Sequence, residues 1–556
     1  MTATTRHAAS TPAFLAAALL LFTVLTAAMT FPQLLHMRDG VSDEGDPLLV
    51  TWVFAWVAHQ LPVAPAHLFD ANIFYPERRT LAFSETMLAP ALAVAPLHWL
   101  RVGPILIYNI VFLSGFILSG VGTALLVRSL TGHTGAAMVA GLIFAFLPYR
   151  IEHYSHLQLQ QAQWIPLALW AFHSLLRTGR LRHGVLLGLL VGCQVLSCMY
   201  YGLFLIPYMA VVCGAVLLAQ RTLSKQRVQA LLVAGAIACA AAIPVVTAHM
   251  GARRVVGERT LQEVIDLSAT WRSYLAAPAT NLLYGRVLAR FGQPERVLFP
   301  GFVAVALALI GLWPNPDPRT QTPEPRTRFA YALGLLLALD LSLGFNGFTY
   351  GALYDYVLPF RALRAPARMG LLVGFSLAVL AGYGVARIVE ALTSRRAQRA
   401  VPVIIGALIL AEYVSTPVRV TIVSRTAPSI YADLLTDRGD SPTAVIFEYP
   451  ATVEDEPTYM YYSTFHWQFL VNGYSGFFPT SYVRVVQAMK TFPDDQSLEA
   501  VKAHGARYVV VHGERLMKWR DNPELLMRRL AGQSQLALVS RRPWLGSEIR
   551  LYRVLY

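Results

Sequence analysis

Residues 12–47 read PAFLAAALLLFTVLTAAMTFPQLLHMRDGVSDEGDP. About 20 apolar residues at ~1.5 Å rise cross a bilayer core of ~30 Å, so residues 12–31 predict a first membrane span. Arg6 and the small residues near the end of this run mimic a secretory signal, but its length, and the apolar runs that follow, favour a retained span. Directly after it the chain turns acidic, with Asp39, Asp43, Glu44 and Asp46. Ser42 is placed to cap a helix starting near Asp43, whose positive first turn suits the acids. Leu49, Trp52, Val53, Trp56 and His59 then fall at helical spacing. That spacing predicts an amphipathic helix along the membrane surface, holding the carboxylates at headgroup depth.

The same apolar grammar continues outward. Further spans are predicted at 106–127, 134–149, 160–176, 184–199, 201–220, 228–249, 298–313, 328–345, 369–392 and 400–417, eleven in all. Residues 87–100, with Pro90 and Pro96, read as an interfacial or re-entrant segment. Of 556 residues, 55% are hydrophobic and only 14% charged, well under the ~25% charge of soluble domains. A soluble enzyme is excluded. The net charge of +14 does not signal nucleic acid, because the basic residues sit in small clusters between apolar runs. Cys193, Cys198, Cys213 and Cys239 all lie inside apolar runs without metal-ligand spacing, as inert hydrophobes do.

With the N-terminus inside, every cytoplasmic connection is basic: Arg128; Arg177, Arg180 and Arg182; Arg221, Lys225 and Arg227; Arg319, Arg326 and Arg328; Arg395, Arg396 and Arg399. Counting 87–100 as a span would invert this pattern. The expected architecture is a polytopic α-helical membrane module, residues 1–419, with a first outer loop at 32–105. From 420 to 556, β-type runs (444–447, 508–512, 549–554) alternate with helix-like pieces (482–490, 496–504, 523–531). They predict a small α/β domain, extracytoplasmic after eleven crossings.

The acidic loop admits two readings: helix capping together with acidic bias outside the membrane, or a site. As a site, one carboxylate is a general base, or Asp43 and Asp46 hold a divalent cation such as Mg or Mn, facing a lipid-linked substrate. A first outer loop with an acid pair followed by surface helices resembles the GT-C superfamily of integral-membrane glycosyltransferases. The stretches Leu125-Leu126-Val127-Arg128-Ser129-Leu130-Thr131-Gly132 and Pro148-Tyr149 resemble the second and third spans of its protein mannosyltransferase and lipid-sugar transferase branch. The likeness covers roughly residues 12–250 in layout. It implies that Asp43 and Glu44 are the branch's acidic pair, with Asp43 the catalytic base. Asp46 departs from a strict Asp-x-Asp spacing, which leaves open which acid acts.

Other polar residues are nominated by their position. His153 and His156, three apart, share a helix face with Gln160 one turn on, and Gln158 lies between; together they line an interface or bond a sugar or phosphate. Arg361, Arg364 and Arg368 crowd a short outer loop, against the charge rule. Their compensation is a polyprenyl phosphate taken by guanidinium forks, or anionic lipids, or the acidic first loop. Asp340 sits within an apolar span as a site or packing residue. Tyr75, in Asn72–Arg79, and Glu85 are candidates for the same cavity. In the C-terminal domain Tyr459, Tyr461, Tyr462, His466 and Trp467 either stack on sugars or build a core. No Gly-rich phosphate loop or nucleophile elbow occurs.

These observations converge on a glycosyltransferase in a cytoplasmic membrane. It moves a sugar from a polyprenyl-phosphate donor to a glycan, lipid or protein acceptor on the extracytoplasmic face. The acids and the arginines then serve one outward-facing hollow. The alternatives are a flippase or scaffold for a lipid-linked glycan, and a transporter that depends on Asp340.

Overall fold

The computed structural model describes residues 11–218, 223–313, 325–441, 443–516 and 523–556; Arg6, Arg221 and Arg319 lie outside the described residues. Each predicted span falls on a helix: Thr11–Met29, Pro104–Thr131, Thr134–Ala145, Trp164–Thr178, Leu181–Ser197, Met199–Leu218, Lys225–Val256, Phe302–Leu312, Pro325–Ser342, Gly370–Ala391 and Arg395–Tyr413. Among the described residues, six stretches are long and apolar enough to cross a bilayer: Thr11–Met29, Pro104–Thr131, Thr134–Glu152, Met199–Leu218, Lys225–Val256 and Pro366–Ala391.

The chain forms two compact units. The first comprises residues 1–35, 111–243 and 258–418; the second, 36–110, 244–257 and 419–556. In the helical unit Gly370–Ala391 is the central helix, buried along nearly its whole length. Phe302–Leu312 lies against it through two glycines. A Cβ on Gly384 would stand 2.0 Å from the Leu307 carbonyl oxygen, and one on Gly311 2.2 Å from that of Leu380. Gly184, Gly188 and Gly192 make a second such seam, where Cβ atoms would strike the carbonyl oxygens of Ala230 and Ala234 at 2.3 and 2.6 Å and the Ala241 methyl at 2.8 Å. Small residues four apart let helix backbones approach where lipid gives no hydrophobic drive.

The second unit holds the strands β1 (Gly40–Val41), β2 (Thr421–Ile422), β3 (Val445–Tyr449), β4 (Phe469–Leu470), β5 (Tyr508–His512), β6 (Leu536–Trp544) and β7 (Ser547–Val554). β1 and β2 pair antiparallel; the others form one sheet in the order β4-β3-β5-β7-β6. β3 runs parallel to both β4 and β5, and β7 antiparallel to β5 and β6. The helices Thr480–Ala488, Asp495–Ala503 and Pro523–Gly532 supply apolar residues to its core. The α/β character expected of this segment is present. The first-loop residues 72–75 bond to it: Leu470 N–H donates to Asn72 O, and Phe74 and Tyr75 N–H to Asn472 and Leu470 carbonyls.

The helix after the acids differs from expectation. It spans Asp46–Val63 with Gly45 as its N-cap and no side-chain cap, so Ser42 does not cap it. Residues 47–58 are all buried, because Leu88–Trp99 and Glu456–Ser463 pack on it. Trp52 and Trp56 therefore anchor a core, bonding Asn72 Oδ1 and the Leu68 carbonyl. The segment 87–100 is the helix Leu88–Trp99, with Leu92 and Trp99 turned outward.

Candidate active site

The acidic loop lies wholly in the second unit, and each acid has its own role. Asp43 turns back on its own loop, where Oδ1 accepts from Gly45 N–H at 2.8 Å and Oδ2 from the Ser42 hydroxyl at 3.3 Å. Glu44 is bound by Arg515, whose guanidinium donates to it at 2.8 Å and to the buried Asp455 at 2.9 Å. Thr458 joins them, accepting from Arg515 at 3.2 Å. Burial alone would weaken the Arg515 cation, but Glu44 and Asp455 hold its pKa above the ordinary value. Asp46, at the helix start, accepts from the Tyr474 hydroxyl at 3.0 Å. Arg515 and Asp455 lack any sequence signal; only the fold brings them to residue 44.

Behind this loop lies a buried polar chain. His512 sits fully buried between Glu448 at 2.8 Å and Glu514 at 3.1 Å. Burial opposes its charge, yet the two carboxylates raise its pKa to about 9. Glu456 is pushed up to about 8 by burial, against hydrogen bonds from Tyr482 and Asn472. Tyr431 also donates to Glu448, at 3.0 Å.

His466 is buried, stacks on Tyr431 at 4.6 Å and accepts from Gln468 N–H. Burial pushes its pKa down to about 3, so the ring is neutral. Tyr75 packs on Phe469 at 5.3 Å, and Glu85 is half-buried before Leu88–Trp99.

In the helical unit the arginines do not act as one fork. Arg368 is buried and grips Glu295 with two nitrogens. The compensation for its place in the loop is thus Glu295, a residue the sequence reading passed over. Arg364 stands 3.8 Å from both Glu263 and Glu295 and is about one-third exposed. Arg259 reaches Glu263 at 3.4 Å. Arg259, Arg364 and Arg368 thus share Glu263 and Glu295. Arg361 turns away and donates to the carbonyls of Tyr354 and Asp355 at 3.0 and 2.9 Å.

His153 and His156 join this group. His153 Nε2 lies 3.8 Å from Glu295, and the two rings meet edge to face at 5.5 Å. Burial drives the His153 pKa down to about 3 despite Glu295. Burial would raise Glu295, but Arg368 and the histidines hold it well below the carboxylate range. Gln160 is spent on the loop itself, exchanging hydrogen bonds with Arg150 and donating to the His153 carbonyl. Gln158 is buried. Asp340 accepts from the Phe348 and Thr349 amides and the Thr349 hydroxyl, capping the loop that follows its helix. Among the described residues no three His, Cys, Asp or Glu side chains gather as a metal site.

No protein-family model and no curated protein matches the chain. Two structures of the arabinofuranosyltransferase AftD from Mycobacteria match 99% of it at 15% identity, with TM-scores of 0.61 and 0.62. The chain spans 42% of their length. The oligosaccharyltransferase AglB from Archaeoglobus fulgidus matches 90% of this chain and 70% of its own at 13% identity and a TM-score of 0.46. The chain shares the GT-C fold of AftD.

Proposed function

We propose that the protein is a multi-pass membrane glycosyltransferase. It takes a sugar from a polyprenyl-phosphate donor and passes it to a glycan, lipid or protein acceptor outside a cytoplasmic membrane. The observation that carries this reading is the division of labour among Asp43, Glu44 and Asp46. Glu44 is held by Arg515 and Asp46 by Tyr474, while a backbone amide and the neighbouring Ser42 hydroxyl orient Asp43. The likeness in fold to AftD supports it.

In this mechanism Asp43 takes the acceptor hydroxyl's proton as that oxygen attacks the anomeric carbon. The bond from that carbon to the phosphate oxygen breaks, and the carrier leaves as its phosphate. If Mg or Mn takes part, Asp43 and Asp46 are its ligands, and chelation with EDTA would abolish transfer. Asp43→Asn should lower transfer about 10²–10⁴-fold, the usual worth of a positioned base, while the variant keeps its melting temperature and binds the lipid donor. An unaltered rate of sugar transfer in the purified variant would reject Asp43 as the base, and no transfer by the purified wild type from polyprenyl-phosphate sugars, as expected of a flippase or scaffold, would reject the proposal.

A further inference from the structure

A second basic group in the helical unit has no part in the chemistry above. Arg272, Arg290 and Arg296, with Thr270, Ser273 and Phe291, line a hollow of about 260 Å³. No carboxylate lines it. Among the described residues, none of the three arginines has an ion pair. Arg296 donates only to the Ser268 carbonyl, at 3.4 Å, and Arg290 leans over the Phe291 ring at 4.9 Å. Every other arginine that approaches the Glu295 group is matched by a glutamate. Arg272 and Arg290 are exposed and Arg296 is half-buried, so water screens their mutual repulsion, but three like charges around one hollow without a carboxylate favour an anion between them. The planar forks suit phosphate oxygens, and the Thr270 and Ser273 hydroxyls add hydrogen-bonding groups. The volume admits a phosphodiester with several waters, each taking about 30 Å³.

The surroundings identify the source of that phosphate. Trp271 and Leu275, on the same short helix as Arg272 and Ser273, are 66% and 44% exposed. A run of bare apolar side chains beside unpaired arginines is amphiphilic in the manner of surfaces that meet anionic lipid, with acyl chains against the apolar part and headgroups against the basic part. We propose that this hollow is a binding site for the phosphate headgroup of an anionic membrane phospholipid, separate from the sugar-transfer chemistry. The chain leaves the hollow at Arg296, next to Glu295, which adopts a left-handed backbone conformation (φ 65°). Alternate side chains of one short loop thus serve the outer hollow and the inner ion-pair group.

The test uses the full chain purified in a neutral detergent and dioleoylphosphatidylglycerol as probe, with bound lipid counted by native mass spectrometry. Wild type should retain one phosphatidylglycerol that Arg272→Gln/Arg290→Gln/Arg296→Gln binds at least tenfold more weakly. Phosphatidylcholine should not replace it, and inorganic phosphate should compete no better than chloride at equal ionic strength. Arg290→Glu, a single change at an exposed position, guards against misfolding of the triple variant and should show the same loss. Equal lipid retention by wild type and either folded variant overturns the proposal. So does tight binding of inorganic phosphate without phosphatidylglycerol, which would make the hollow a free-anion site. Sugar transfer is not read, so the result is independent of the proposed function.

Discussion

His512 is a cation enclosed by protein, with Glu448 and Glu514 on its two ring nitrogens. Its pKa of about 9 lies above the ordinary 6.5, so the folded state binds a proton that the unfolded chain releases. The stability this provides is complete below about pH 6.5 and is lost as pH rises through 9. Glu456 acts in the same direction: it keeps its proton up to about pH 8 when folded, against 4.5 in its ordinary state. Melting temperature should therefore fall between about pH 5 and 9, and Glu456→Gln should flatten the lower part of that decline in a thermal-shift series. Arg515 neutralises Asp455, which is 2% exposed. Arg515→Met strands that charge, at a typical cost of about 3–5 kcal/mol. Adding Asp455→Asn should recover much of the lost melting temperature, and failure to recover would place the cost elsewhere.

Among the elements, the seam between Leu181–Ser197 and Lys225–Val256 rests on Gly184, Gly188 and Gly192. The three glycines stand four apart, and the partner helix shows which face they serve. Gly188→Leu forces the Ala234 backbone away, and overpacking of this kind costs about 1–3 kcal/mol. The detergent-purified variant should melt several degrees lower, while Gly235→Leu, where a Cβ meets nothing within 4 Å, should not. The helix Asp46–Val63 teaches the converse. Its tryptophans have the spacing of a surface helix, but tertiary packing on two sides buries them, so periodicity alone misread its environment.

At the scale of the molecule, the second unit is assembled from distant stretches, since residues 36–110 fold with 419–556. Asn72 is fully buried and donates to the Gln468 carbonyl at 3.0 Å. A fragment comprising 420–556 alone loses this partner, the edge bonds to residues 72–75 and the Glu44 counter-charge to Arg515. It should be aggregated, or lack near-UV circular dichroism, and co-expression with residues 36–110 should restore a folded species. A monodisperse, folded fragment on its own would contradict this account.

The helical segments and the α/β tail were legible because apolar runs and period-two patterns are local properties of the chain. The acidic loop was legible for the same reason, since its carboxylates are neighbours in sequence. Its partners were not: Arg515 lies 471 residues from Glu44, and Glu295 lies 73 before Arg368. A buried charge requires a counter-charge, but nothing in the local sequence says where along the chain it will be found. Composition and periodicity settled what kind of protein this is, whereas the pairing of charges that gives each acid and arginine its role was decided only when folding excluded water around them.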